Sequence, residues 1–176
     1  MDFKLLKPDF NALGKTDWAK PQIDTKNIVA LAGTIAAALM VVFVFCPWFG
    51  VEAGSLTRSL ASEMGESADN TVTRLGITLW YGIIGLIAAV AALVGNLYNQ
   101  KPLAFWGGVL GALMGLLGLF MYASLTKDGE TVEADMIKLA VNTGVMDTIR
   151  WGATLFFISS LVAAATAFAN VMGLKK

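Results

Sequence analysis

The chain alternates between long apolar runs and polar connections, and the apolar run occurs four times. These runs cover residues 28–48, 76–98, 102–125 and 148–172. Each reaches the ~20 residues that an α-helix needs to cross ~30 Å of hydrocarbon. The connection at residues 99–101 is so short that the second and third runs must form an antiparallel hairpin. The pattern therefore predicts an all-α integral membrane protein with four transmembrane helices in an antiparallel bundle.

The two longer connections carry apolar residues at helical spacing. In the connection 51–75, an amphipathic helix is predicted to begin near Ser55. Its apolar face consists of Leu56, Leu60 and Met64. In the connection 126–147, a helix over about residues 131–142 is predicted to end at Gly144. Its apolar face consists of Val132, Met136, Leu139 and Ala140. Short amphipathic helices are thus expected in both long loops.

The apolar runs divide the chain into three parts. Residues 1–27 hold five lysines and four aspartates, with Pro8 and Pro21 excluding one long helix. We interpret them as a cytoplasmic arm on the membrane surface, with a flexible tail as the alternative. Residues 28–173 form the four-span membrane domain, and residues 174–176 a basic C-terminus.

The basic residues predict an orientation in an inner or plasma membrane. Eight of the 13 lie in the arm, the turn at Lys101 and the C-terminus, against five in the two long loops. This excess favours both termini in the cytoplasm. Aromatic residues near the ends of the runs are predicted to anchor the chain at the two membrane interfaces. These residues are Trp48, Trp80, Tyr81, Trp106, Tyr122 and Trp151.

The second and third runs carry small residues at alternating spacings of three and four. In the third run these are Ala104, Gly108, Gly111, Gly115 and Gly118. In the second run they are Gly82, Gly85, Ala89 and Ala92. Such faces let helix backbones approach closely in lipid. They either pack within one chain, where the hairpin offers the second run as nearest partner of the third, or join neighbouring subunits.

The composition removes most catalytic chemistry. The chain has no histidine and one cysteine, so neither a Ser-His dyad, a Cys-His dyad nor haem ligation through histidine is available. The apolar runs hold no ionisable residue within the hydrocarbon, which argues against a proton-coupled transporter, a pump or a voltage sensor. Hydroxyls in the runs are expected to bond to their own helix, a polar ring in an oligomer being the alternative. No catalytic, cofactor-binding or metal-binding residue is predicted.

The remaining candidates for chemistry are weak. Asp128, Glu130, Glu133 and Asp135 are interpreted as a solvated acidic face, with a Ca²⁺ site as the alternative. Cys46 is interpreted as a small apolar residue, with intermolecular pairing or acylation as alternatives. The net charge of zero gives no reason to expect a nucleic-acid partner.

Four runs, two long loops and the aromatic-glycine turn Trp48-Phe49-Gly50 resemble the layout of claudin-type tetraspan junction proteins. The paired loop cysteines expected in that family are missing, so the resemblance implies nothing about activity or partners. From the residues we expect a non-enzymatic membrane scaffold or accessory subunit. It would assemble through its Gly/Ala-rich helix faces, as a homo-oligomer or with other membrane subunits, and offer its extracytoplasmic loops to a partner. The alternative is an oligomeric channel or passive conduit for ions or small solutes.

Overall fold

A computed structural model describes residues 14–22, 27–65, 71–127 and 129–173. The helices, in chain order, are α1 (Ile28–Val44), α2 (Ser55–Met64), α3 (Trp80–Leu97), α4 (Lys101–Phe120), α5 (Ala134–Asn142) and α6 (Trp151–Val171). The strands are β1 (Pro47–Ala53), β2 (Val72–Leu75), β3 (Leu125–Lys127), β4 (Glu130–Val132) and β5 (Met146–Ile149). A 3₁₀ turn at Gly76–Thr78 leads into α3. Residues 66–70 and the basic C-terminus at 174–176 lie outside the described residues, as does most of the predicted arm.

Helices α1, α3, α4 and α6 pack side by side as a bundle. Each helix contacts two neighbours extensively, in the cyclic order α1, α3, α4, α6, while α3 and α6 barely touch across the diagonal. Asn27, Asn99 and Asn170 lie at one end of the bundle, which we call the turn end. The strands and the short helices α2 and α5 lie at the other, which we call the loop end.

The prediction of four transmembrane helices is wrong. Within the described residues, three helices are long and apolar enough to cross a membrane, namely α3, α4 and α6. Helix α1 is apolar but has only 17 residues, about 26 Å at 1.5 Å per residue. It stops at Val44 because Pro47 has no N–H to continue a helix, and the chain from Pro47 onward pairs as a strand instead.

The prediction of an all-α fold is also wrong, because the loop end contains two small antiparallel sheets. Strand β1 is central in the first sheet, with β2 on one side and β5 on the other. Strands β3 and β4 form the second sheet, a hairpin. The backbone groups of β1 therefore bond to β2, which lies more than 20 residues away in sequence, and to β5, which lies about 95 residues away. Apolar residues near the ends of the predicted spans belong to these strands.

The two predicted amphipathic helices are present, and the second begins later than predicted. Helix α2 runs from Ser55 to Met64 and ends at Gly65, whose φ is 72°. Helix α5 begins at Ala134 and not near residue 131, because residues 130–132 pair with β3. The one buried residue of α5 is Ile137, whereas Met136 and Leu139 of the predicted apolar face are exposed. Both helices thus turn the predicted apolar face away from the chain.

The core of the bundle is narrow at the turn end and wide at the loop end. Small residues fill the narrow half: Ala36, Ala37, Ala89, Ala92, Ala163 and Ala167. Large residues fill the wide half: Met40, Val44, Trp48, Phe49 and Phe156, all with no exposed surface. Bulky apolar side chains such as Ile87, Leu113 and Ile158 cover the outside of the helices. The bundle is therefore filled by side chains in its wide half and apolar on its outside.

Candidate functional site

The loop end is fixed to the bundle by the indole of Trp48. Its Nε1 donates a hydrogen bond to the carbonyl of Phe43, 2.7 Å away, near the end of α1. The same carbonyl accepts from the backbone N–H of Cys46 at 3.2 Å. The ring packs against Tyr81 at 6.0 Å and Phe156 at 4.7 Å between centroids. Gly76 makes room for it, since a Cβ there would lie 2.6 Å from the indole nitrogen. Sheet and bundle consequently share one core.

Arg150 joins the start of α6 to the end of α4. Its guanidinium donates to the carbonyls of Gly118, Leu119 and Met121, the last turn of α4 and the residue after it. It also lies over the rings of Phe49 and Tyr122, 5.1 and 4.8 Å from their centroids. Burial lowers the pKa of this guanidinium from its ordinary value, and the nearby Tyr122 opposes that shift. Arg150 thus neutralises the negative end of α4 and acts as its C-terminal cap.

Arg74 makes a second link of the same kind. It donates to the carbonyl of Ser124, 3.0 Å away, and to that of Thr78, 3.1 Å away. Strand β2 is thereby tied to the segment after α4 and to the start of α3. The two arginines thus attach the loop end to the ends of α3, α4 and α6.

The outer surface of the loop end carries exposed apolar side chains. On α2, Leu56, Leu60 and Met64 lie one turn apart, and Met64 is 70% exposed. On α5, Met136 and Leu139 are 62% and 59% exposed. Several large apolar residues on two short helices are more than the scattered exposure of an ordinary surface. These five residues define what we call the outer apolar face.

The two helices of the outer apolar face meet at a common support. The backbone N–H of Leu56 donates to the carbonyl of Gly144, and Thr57 Oγ1 donates to the carbonyl of Val145 at 2.7 Å. Gly144 and Val145 connect the end of α5 to β5. Gly54 is also required here, because a Cβ would collide with the Gly144 carbonyl. The start of α2 is therefore bonded to the short segment that follows α5.

The predicted helix-packing residues lie inside the bundle. Gly82, Gly85, Ala89, Ala92, Gly108, Gly111, Gly115 and Gly118 are all buried. A Cβ at Gly108 would lie 2.6 Å from the backbone nitrogen of Ala164, and one at Gly115 would lie 2.9 Å from Cα of Phe157. Gly108 and Gly115 of the third run thus face α6. The close approach to α3 is made by Ala104, which meets Gly95, and by Gly107, whose Cβ would lie 2.5 Å from the Ala92 nitrogen.

The predicted interfacial anchors fall into two groups. Trp80, Trp106 and Trp151 are about half exposed at the ends of their helices. Trp48 and Tyr81 are buried in the core, and Tyr122 is half-buried beside Arg150. The sequence shows that an aromatic residue ends an apolar run but not which way its ring turns.

The described residues bring no reactive cluster together. No group of three or more Cys, Asp or Glu side chains within the described residues could hold a metal ion. Glu130, Glu133 and Asp135 are exposed, and Asp128 lies outside the described residues. The thiol of Cys46, two residues after α1, donates to the carbonyl of Val42 in the last turn of that helix. The hydroxyls of Thr34, Ser160 and Thr166 donate to carbonyls of their own helices.

Sequence reasoning missed Arg74 and Arg150 as structural residues. The available signal was the position of each arginine next to an apolar run, which was used only to count charge.

Comparison of the chain with protein-family models, with curated proteins and with solved structures gave no match.

Proposed function

We propose that this chain is a non-enzymatic integral membrane scaffold or accessory subunit that binds a partner membrane protein through its outer apolar face. The observation that carries the proposal is the pairing of a rigid support with uncovered apolar side chains. Leu60, Met64 and Leu139 remain exposed although the sheet beneath them is tied to the bundle. Covering such side chains with a partner removes apolar area from water, and a preordered surface loses little entropy on binding.

The surface used for assembly differs from the one expected from the sequence. The Gly/Ala faces of α3 and α4 are filled by other helices of the same chain. The proposed contact therefore lies on the loop end. Whether the partner is a second copy or another subunit is decided by the experiment below.

We also propose that α3, α4 and α6 cross the membrane with their turn ends toward the cytoplasm and their loop ends on the opposite side. The arm at residues 14–22 and the residues Asn27, Lys101 and Asn170 share the turn end. Most of the basic residues of the chain belong to segments connected to that end. An excess of basic residues on the cytoplasmic side is typical of proteins in a plasma or inner membrane, so we propose one of these as the location.

The conduit alternative has less support. A lumen would need polar groups along the whole length of the bundle, but the hydroxyls of Thr34, Ser160 and Thr166 are bonded within their own helices. Trp48, Met40 and Phe156 fill the centre of the wide half of the bundle. Pore formation by several copies would have to use the outer surface of the helices, which is covered by bulky apolar side chains.

Site-specific photo-crosslinking in cells tests the proposal. A photoreactive residue at position 60 or 139 would lie on the outer apolar face. Glu63 and Lys138 are matched control positions on the same two helices, both exposed and polar. We expect discrete protein adducts from positions 60 and 139 and much weaker ones from the controls. Native mass spectrometry of the gently extracted protein then identifies the adduct as a second copy or another subunit.

Two results would contradict the proposal. Equal crosslinking from all four positions would mean that the helices make only random contacts. Crosslinking of positions 60 and 139 to lipid alone would assign the outer apolar face to the membrane surface. In either case the extracted protein would also migrate as a monomer without a partner.

A further inference from the structure

The turn end of the bundle contains a polar cavity of about 170 Å³. It lies where α1 and α4 begin and where α3 and α6 end. Its lining residues are Gln22, Asn27, Ala30, Thr34, Gly95, Asn96, Asn99, Lys101, Ala104, Ala167 and Asn170. A second concavity shares Asn99 and Lys101 with it. This region takes no part in the function proposed above.

The lining is rich in hydrogen-bond donors and carries a positive charge. Five of the lining side chains are carboxamides, and Lys101 adds an ammonium group. No carboxylate is present among the described lining residues. In the described part of the chain, the one ion pair joins Arg58 to Glu52 at the other end of the molecule. An anionic ligand would therefore meet donors and no opposing negative charge.

Hydrogen bonds hold these groups in position. Asn27 accepts from the backbone N–H of Val29 and Ala30 and donates through Nδ2 to Asn170 Oδ1, 3.2 Å away. Lys101 Nζ donates to the carbonyl of Asn170 at 3.1 Å. An ammonium has three hydrogens, so this bond orients the lysine and leaves further donors for a ligand. The bond to the Asn170 carbonyl, at the end of α6, therefore positions the ammonium group without a ligand.

The position of the cavity matches the level of lipid headgroups. It lies at the ends of the three helices that are long enough to cross a membrane. Trp106 is half exposed in the second turn of α4, as expected for an aromatic ring at a membrane interface. Among the described residues no side chain caps the N-terminus of α4, which begins at Lys101, and its positive end adds to the charge of the lysine.

The N-terminal arm covers part of the cavity. The N–H of Gln22 donates to the carbonyl of Leu97, and Tyr98 Oη donates to the carbonyl of Trp18 at 2.9 Å. The rings of Trp18 and Tyr98 are in edge contact, 4.9 Å between centroids. Gln22 thus adds an amide to a site otherwise made by helix ends.

We infer that this cavity binds a phosphate group, carried by an anionic lipid headgroup or by a small phosphate ester. Lysine serves as a point charge for phosphate, and carboxamide N–H groups donate to the oxygens that the lysine does not reach. Ala30, Ala104 and Ala167 leave the floor open, so the group fits between the helices and not merely on their surface.

The test uses the full chain in phosphatidylcholine nanodiscs with added phosphatidylglycerol, and separately in detergent with glycerol 3-phosphate. Native mass spectrometry measures retained lipid, and calorimetry measures binding of the soluble ester. We expect Lys101→Gln to weaken binding about tenfold, the effect of one charged hydrogen bond. Lys101→Arg keeps the charge and should retain most of the affinity. Lys20→Gln, at an exposed lysine that does not line the cavity, is the matched control and should change nothing.

A second variant keeps the test valid if Lys101→Gln disturbs the fold. Ala30→Leu leaves every donor in place and fills the cavity, so it should also abolish binding. Retention of phosphatidylglycerol alone identifies a lipid headgroup, and binding of glycerol 3-phosphate identifies a soluble ester. No binding of either, or equal losses from Lys20→Gln and Lys101→Gln, would overturn the inference.

Discussion

The contacts of Arg150 make a sharp prediction about stability. Arg150→Met keeps most of the apolar length of the side chain and removes the guanidinium. The carbonyls of Gly118, Leu119 and Met121 then lose their donor, and the rings of Phe49 and Tyr122 lose their cation. The end of α4 has no other side-chain donor that could replace it among the contacts described above.

The size of the effect follows from these contacts. A hydrogen bond to a charged group contributes about 1.5–3 kcal/mol, and a partly buried cation–π contact about 1 kcal/mol. The contributions are not additive because one group makes them all. We expect Arg150→Met to lower the free energy of unfolding by about 3–5 kcal/mol. Arg150→Lys keeps the charge but cannot reach three carbonyls, so we expect a loss of about 1–2 kcal/mol.

Arg58 provides the matched control. It forms an ion pair with Glu52 at 2.8 Å, and its side chain is 53% exposed. An exposed pair of this kind contributes about 0–1 kcal/mol. Arg58→Met therefore removes the same charge from the same end of the molecule with little expected change in stability.

The assay is equilibrium unfolding in mild detergent, followed by tryptophan fluorescence and circular dichroism. At about 2–4 °C per kcal/mol for a chain of this size, Arg150→Met should lower the Tm by about 10 °C. The reasoning would be refuted if Arg150→Met and Arg58→Met shifted the Tm equally. That result would mean that the last turn of α4 is satisfied by water and needs no arginine.

Three further predictions follow from the packing. Gly107→Ala should lower the free energy of unfolding by about 1–3 kcal/mol, because its Cβ would press on the Ala92 backbone. Ala165→Leu, on the exposed face of α6, is the control and should be near neutral. Equal unfolding curves for the two variants would disprove the close contact of α3 and α4. Trp48→Phe should cost about 2–4 kcal/mol, measured in the same assay, because it removes the bond to the Phe43 carbonyl and leaves a cavity. Cysteines at positions 63 and 100, in a Cys46→Ser background, should react with an impermeant thiol reagent from opposite sides of the membrane, and labelling of both from one side would rule out a crossing by α3.

Hydropathy and spacing located the helices but not their ends. The four apolar runs correspond to α1, α3, α4 and α6, because apolar helices are recognised from local composition. Their ends shifted where strands took over, at Pro47 and at residues 125 and 146–149. These strands exist because β1 pairs with distant segments on both sides, and no local pattern states that pairing.

The sequence pattern predicts the residues of the outer apolar face but not their exposure. Leu56, Leu60 and Met64 were recognised as one face of a helix from their spacing, and the structure adds that this face is uncovered. On α5 the spacing assigns Met136 and Leu139 to the apolar face, and the structure shows that this face is exposed and that Ile137 is the buried residue. A nine-residue helix offers more than one apolar face, and contact with the sheet decided which one was buried.

By itself the sequence determined that apolar helices dominate the chain, that histidine chemistry is absent, and that small residues line the helix faces. These are properties of composition and of short-range spacing. Only the tertiary structure decided that Gly108 and Gly115 meet α6, that Trp48 and Tyr81 turn inward, and that Arg150 caps α4. Each of these depends on which surfaces meet across the bundle, and that is fixed by the fit of all the helices and strands together.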